Sequence, residues 1–246
     1  MSVPRISYDW MSPAVSVTTE ATNYPKENLL DRRDTPYNKE WRSIVTTQTD
    51  IELDFGGAHT LEALVLLNVN FATFQILEGT TLSALSEISG SPFTPAKYVD
   101  GYYNYIHIAS LTDRFVIVRI LNATTRFDSA AYYSIGSLQV LDSITDFPIG
   151  PAQDMQEEVT REYHTVGNDK GAAGPFRIKR TMDFIVANGS EGVYEDLNLE
   201  GEDSPFIFFD NLGNNEEVSL GRLDGRVSIR RRSTTRRINM IYRSMP

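Results

Sequence analysis

Three groups of side chains in this 246-residue chain have the types and spacing to do chemistry. Tyrosines gather at Tyr98, Tyr102, Tyr103 and Tyr105, with Tyr132 and Tyr133 further on. Aromatic rings stack on apolar sugar faces and also anchor protein contacts. Tyr102, Tyr103 and Tyr105 are therefore candidate ligand-binding residues, with protein contact and ordinary packing as alternatives. Strand alternation puts Tyr103 and Tyr105 on one face and Tyr102 on the other, so part of the cluster is core or sheet surface. Arginines crowd the C-terminal end, at Arg222, Arg226, Arg230, Arg231, Arg232, Arg236, Arg237 and Arg243, in a chain of net charge −10. We read Arg226, Arg230, Arg231, Arg232, Arg236 and Arg237 as an intersubunit interface that meets acidic stretches of a neighbour at 157–158, 191–202 or 216–217. A DNA-binding stripe and a plain solvated strand face are the alternatives. Lastly, Asp31, Asp34 and Asn38 could offer loop oxygens to calcium, but no metal site is assigned from them.

Other chemistry is missing from the sequence. His59, His107 and His164 lie far apart without metal-ligand spacing, and read as surface or partly buried residues. No Gly-x-Ser-x-Gly or His-Glu-x-x-His motif occurs, and no carboxylate pair stands out as acid and base. The expectation is a protein that is not an enzyme and needs no cofactor. Cysteine is absent, which excludes disulfides and thiolate metal sites and suits a reducing compartment. The pI near 4.8 argues against general nucleic-acid binding. The N-terminus lacks the apolar stretch of a secretory leader, and no apolar run reaches membrane-spanning length. No membrane partner is expected.

The elements that must position these residues are strands. Residues 1–20 alternate weakly between two prolines, as an edge strand or an extended arm would. Residues 28–30 suit one helical turn. Residues 50–55 alternate, with Glu52 and Asp54 facing away from the buried side, and Gly56-Gly57 supplies a turn where positive φ costs little. Residues 61–67 are almost all apolar, as in a strand buried on both faces. Further strands are expected at 74–77, 98–108, 115–121 and 132–141, with a short helix or loop at 80–91. This spacing predicts an all-β sandwich over 1–146. Two prolines and a glycine within 146–151 mark a linker. Beyond it, strands are expected at 157–166, 176–187, 206–209 and 217–223, a helix at 191–199, and a hairpin of 225–232 with 237–242. That is a smaller β-rich assembly domain, 152–246, with one short helix.

Several segments agree, in order, with one family. Asn28, Leu30 and Asp31, then Trp41, then IELDFG and LEALVLL, then FVIVRI at 115–120 and IGSLQV at 135–140, resemble the discoidin or galactose-binding-like β-sandwich over residues 15–142. The resemblance implies a jelly-roll sandwich with any ligand site in variable loops at one end, so these matching residues are fold residues. Trp41 suits the role of a large apolar plug. The phrase NLLDRRDTPYNKEWRS before such a sandwich, and FRIKRTMDFIVANGSEGVYEDLNLEGEDSPFIFFD after it, also resemble tail and tail-tip (baseplate, distal-tail-like) proteins of bacteriophages. That second resemblance implies a virion structural protein, assembled in the host cytoplasm as a symmetric ring with other tail proteins. The alternative is a carbohydrate-binding module that attaches to host-surface glycans.

Overall fold

The computed structural model describes residues 5–7, 11–31, 40–99, 102–128, 130–146, 153–163, 173–187, 192–200, 206–209, 218–223, 225–231 and 235–244. The first strands are β1 (Arg5–Ser7), β2 (Ala14–Val17), β3 (Trp41–Arg42), β4 (Thr49–Asp54), β5 (Leu61–Val69) and β6 (Phe74–Gly79). Then come β7 (Ser86–Glu87), β8 (Ala96–Val99), β9 (Tyr102–Leu111), β10 (Phe115–Ile120), β11 (Ser134–Leu141) and β12 (Thr145–Asp146). The remainder comprises β13 (Gln153–Tyr163), β14 (Ala173–Ala187), the helix α1 (Gly192–Glu200), β15 (Phe206–Phe209), β16 (Val218–Leu223), β17 (Ser228–Arg231) and β18 (Thr235–Ser244). The fold is mainly β, a sandwich followed by a β-rich unit with a short helix.

The sandwich consists of two antiparallel five-stranded sheets, ordered β2-β4-β10-β6-β7 and β3-β11-β5-β9-β8. Its core follows from period-2 alternation. In β4 the buried residues are Thr49, Ile51 and Leu53, while Asp50, Glu52 and Asp54 reach towards solvent. Ile51 and Leu53 join Val116, Val118, Ile120, Phe74 and Ile76 of the same sheet and Leu64, Leu66, Ile135, Leu138 and Val140 of the other in one apolar cluster. Trp41 is fully buried in that cluster, as a plug should be, and Leu29 of the 3-10 turn Lys26–Leu30 packs there too. The expected double burial of 61–67 holds for all but Glu62.

The strands flanking Gly56-Gly57 do not form a hairpin: β4 pairs with β2 and β10, whereas β5 pairs with β9 and β11. The chain therefore crosses between sheets at Gly56, whose φ of +75° suits glycine. Of the short helix or loop expected at 80–91 the structure has the loop, with turns and β7. Arginine–aspartate pairs fasten the solvent side of the first sheet. Arg119 grips Asp50 with both Nε and Nη2, at 2.8 and 2.7 Å, and Arg114 grips Asp54 in the same way at 2.8 Å each. The Arg114 hydrogen bonds, followed by the Gly56 N–H, hold the Asp54 carboxyl at about 2, below its ordinary value.

The second unit is a single antiparallel sheet ordered β12-β1-β15-β16-β18-β14-β13, with β17 paired to β18. Here β1 departs from the expected boundary. It pairs with β12 and β15, so Arg5–Ser7 belong to this unit and not to the sandwich. Weak alternation over 1–20 marked a strand, and its partners lie more than 130 residues away, outside the reach of local pattern. The long β13 and β14 form an antiparallel pair, and the predicted hairpin appears as β17–β18. Tyr194 and Leu197 of α1 pack on one face of the sheet, against Met182, Leu223, Val227, Ile238 and Met240.

Candidate functional site

Register fixes which loops share an end of the sandwich. At one end Ala14 lies opposite Asp54, and β11 finishes at Leu141 opposite Ala63. At the other end Thr49 lies opposite Ile120, Ser134 opposite Arg42, and Ile135 opposite Val69. The connections 43–48, 70–73 and 121–133 all gather there.

Tyr133 ties this end together. Its ring is fully buried, edge-on to Phe71. Its hydroxyl donates to the Thr46 carbonyl at 2.6 Å and lies 3.2 Å from the Leu121 carbonyl. Ser43 closes the same corner, accepting from the Tyr133 N–H at 2.8 Å while its hydroxyl donates to the Val45 carbonyl at 2.6 Å. On the opposite flank, Thr73 and Thr124 hydroxyls meet at 2.6 Å.

Between these loops lies a cleft of about 260 Å³, enough for one small polar ligand and below the roughly 300–1,000 Å³ of drug-sized sites. Its floor is Asn70, which is nearly buried. The Asn70 amide donates to the Tyr132 carbonyl at 3.0 Å and lies 3.3 Å from each Asp128 oxygen, while its carbonyl accepts the Ser134 N–H at 2.8 Å. Asp128 also accepts the Ala130 N–H at 3.1 Å. A carboxylate has about four acceptor positions, so Asp128 keeps capacity for a ligand hydroxyl. Asn68 lines the cleft with a backbone φ of +55°, its N–H held by the Asn104 side chain at 2.9 Å. Gly136 permits this bend, because a Cβ there would lie 2.9 Å from the Asn68 Cβ.

One wall is Arg42. Its guanidinium lies over the Tyr24 ring at 3.7 Å and the Tyr132 ring at 4.5 Å, and its Nε donates to Glu40 at 2.6 Å. The stack and the carboxylate leave Arg42 little rotamer freedom. Burial pushes the Tyr132 hydroxyl above its ordinary value, opposed by Arg42 and reinforced by Glu40 and Asp128. The other wall is Phe127, 36% exposed and stacked on Tyr103 with centroids 3.5 Å apart and planes 9° apart.

The tyrosine cluster thus divides. Tyr105 is core: its ring is buried edge-on to Phe74, so it offers no platform. The cause is the alternation that placed it on the inward face, where burial raises its hydroxyl far above the ordinary range. Tyr103 shares that face nearer the strand's end, packs partly on the core and backs Phe127. Tyr102 begins β9, and Tyr132 belongs to the cleft. Sequence reasoning missed Asn68, Asn70, Phe127 and Asp128. The available signal was the pair of asparagines that closes an otherwise apolar strand.

The remaining candidates lie elsewhere. His59 bonds Asp142 at 2.9 Å at the opposite end of the sandwich, and His107 is half-buried beside Phe93 and Tyr105. His164, Asp34 and Asn38 fall outside the described residues. Among the described residues, no group of three or more His, Asp or Glu side chains is placed to hold a metal ion. Arg226, Arg230 and Arg237 are exposed on the second unit. Arg231 and Arg236 occupy opposed register positions there, and Arg232 lies outside the described residues.

No family model matches this chain, and no curated protein matches its sequence. Among solved structures it is similar to the lectin domain of lectinolysin complexed with Lewis B antigen, at 13% identity, covering 53% of this chain and 93% of that one with a TM-score of 0.41. It is similar to chitosan-binding module 1 of a chitosanase/glucanase from Paenibacillus sp. IK-5, at 14% identity, 55% and 97% coverage and a TM-score of 0.40. A fucose-binding module from Streptococcus pneumoniae aligns at 12% identity, 55% and 96% coverage and a TM-score of 0.43. By their names all three bind carbohydrate.

Proposed function

We propose that the sandwich is a carbohydrate-binding module and that the cleft at its loop end holds one sugar residue. The carrying observation is the composition of that cleft. Asp128 and Asn68 offer hydrogen-bonding groups, Asn70 and Arg42 are fixed by their partners, and the Phe127 ring forms an exposed apolar wall. Hydroxyls need directional acceptors and donors, and the C–H face of a sugar ring needs an aromatic surface. The two carboxylates lining the cleft each have a partner, Glu40 with Arg42 and Asp128 with Asn70 and the Ala130 N–H, an arrangement that favours binding.

The test is saturation-transfer NMR against a panel of neutral, amino and acidic monosaccharides, followed by a glycan array. Wild-type protein is expected to bind at least one sugar, and Asp128→Ala or Phe127→Ala to lose it while keeping the wild-type amide spectrum elsewhere. Binding that survives both substitutions would move the site away from this cleft. Absence of binding across the panel and array would remove the reading.

A second reading, a structural subunit of a bacteriophage tail, draws its support from the C-terminal unit. There the long β13–β14 pair is followed by α1 and β15, the strand–helix–strand order of the tail-protein resemblance. Under it the protein resides in the virion beside other tail proteins. Immunogold labelling of purified virions at the tail is the expected result, and virions without the protein would end this reading.

A further inference from the structure

The C-terminal sheet sets arginine opposite arginine. Along β18, Arg237 faces Arg230 and Arg236 faces Arg231 on β17, while Arg243 faces Arg222 on β16. Like charges directly opposite on neighbouring strands destabilise a sheet. By alternation positions 230 and 237 share one face of the sheet and positions 231 and 236 the other; on the first face Arg237 donates through Nε to Asp183 at 2.9 Å and through Nη2 at 2.5 Å. That pairing and the nearby Arg230 charge hold the Asp183 carboxyl below its ordinary range. Arg226 and Arg230 are exposed and form no ion pair with a described residue.

Among the described residues Asp183 answers both Arg237 and Arg230, one carboxylate for two guanidinium groups. From 181 to 221 the chain has ten Asp or Glu residues and no Lys or Arg, and from 222 to 243 it has eight Arg and only Asp224. The helix α1 sits in the acidic stretch. Its buried side, Tyr194 and Leu197, packs on the sheet face that presents Met182, Ile238 and Met240. Alternation puts Asp183, Arg230 and Arg237 on the reverse face. The exposed Glu195 of α1 is therefore separated from Arg230 by the thickness of the sheet and cannot neutralise it within one copy.

We propose that the arginine face of β17–β18 docks a second copy of this chain, through that copy's acidic α1 layer. Both faces then find their counter-charge in one head-to-tail contact, the heterologous type that closes into a ring or extends as a filament. A polyanion is the less suited occupant, since the chain's net charge of −10 repels it at a distance. The inference is independent of sugar binding, because it uses only the second unit.

The experiment is sedimentation velocity on the full chain from about 1 to 200 μM, at 30 mM and 500 mM NaCl, with a parallel titration of heparin as the polyanion probe. Wild-type protein is expected to self-associate at low salt and dissociate at high salt. Arg226→Glu with Arg230→Glu leaves the Arg237–Asp183 pair intact and is expected to weaken association about tenfold or more. Adding Glu195→Arg to those changes is expected to recover part of the loss, an outcome that misfolding would not give. A monomer at both salts, an assembly indifferent to salt or to the arginine substitutions, or saturable heparin binding without self-association would each overturn the proposal.

Discussion

Replacing Asn70 with aspartate tests how the cleft is held. The change is isosteric, so it alters charge and hydrogen bonding and leaves packing alone. Two effects act. The amide bond to the Tyr132 carbonyl, 3.0 Å in the native protein, becomes an oxygen–oxygen contact. Leaving that carbonyl without its donor costs about 1–3 kcal/mol. The second effect is repulsion between the new carboxylate and Asp128, whose oxygens lie 3.3 Å from the native amide nitrogen. At this separation two charges repel by about 1 kcal/mol at the dielectric of water and about 5 kcal/mol at an effective dielectric of about 20. Asp128 is exposed, so the lower value governs. The sum is a loss of about 2–4 kcal/mol, or roughly 6–15 °C in the unfolding temperature of the sandwich. The two effects separate with pH. Acidification neutralises one carboxylate of the pair and removes the repulsion, whereas the lost carbonyl donor is independent of pH.

The assay is thermal unfolding of wild type, Asn70→Asp and Asn70→Ala between pH 4 and pH 8. The deficit of Asn70→Asp should shrink by about 1 kcal/mol or more on acidification, and by more than that of Asn70→Ala, which loses the donor to Asp128 but gains no repulsion. A deficit that is the same for both variants at every pH would refute the argument that the amide bridges a carboxylate. Sugar binding should fall in step with the repulsion, because Asp128 is pushed out of the cleft.

Two further outcomes are expected. Burial lowers the His107 pKa below its ordinary 6.5, and its buried Nε2 has no hydrogen-bond partner. The unfolded chain therefore takes up a proton first as pH falls below 6.5, and stability declines by at most about 1.4 kcal/mol per pH unit; above 6.5 both states are neutral and nothing is lost. His107→Phe should flatten that slope in unfolding temperatures measured from pH 7.5 to 5, and an unchanged slope would assign the decline to other groups. Gly136→Ala places a methyl group 2.9 Å from the Asn68 Cβ and 3.3 Å from the Leu67 carbonyl. Neither neighbour is the far end of a flexible side chain, so the cost should be about 1–3 kcal/mol in urea unfolding, with the Asn68 edge of the cleft displaced and sugar affinity reduced.

The architecture was legible where local pattern decides it. Alternation in 51–55, the apolar run 61–67 and the strand FVIVRI each matched a strand with the expected faces, because a period of two leaves each residue one choice of side. Trp41 could be placed in the core for a related reason: burying its ring removes on the order of 200 Å² of largely apolar surface from water. The β4–β5 crossing and the pairing of β1 with β15 were not legible, since both depend on which strands meet and not on whether a strand forms.

The cleft obeys the same distinction. Its residues come from 40–42, 68–70 and 127–134, brought together by pairings that local periodicity does not reveal. Tyr105 misled because a tyrosine has the same letter whether its ring packs inward or meets a ligand, and the decisive fact, Phe74 edge-on beneath it, is a long-range contact. Asn68 and Asn70 carried a better clue. Two amides ending an apolar strand remain favourable only if the fold supplies hydrogen-bond partners, so their presence points to a polar, organised end of the sandwich. Asn70 meets that demand entirely within the protein, whereas the acceptor capacity left on Asp128 is the part of the network that a ligand would complete.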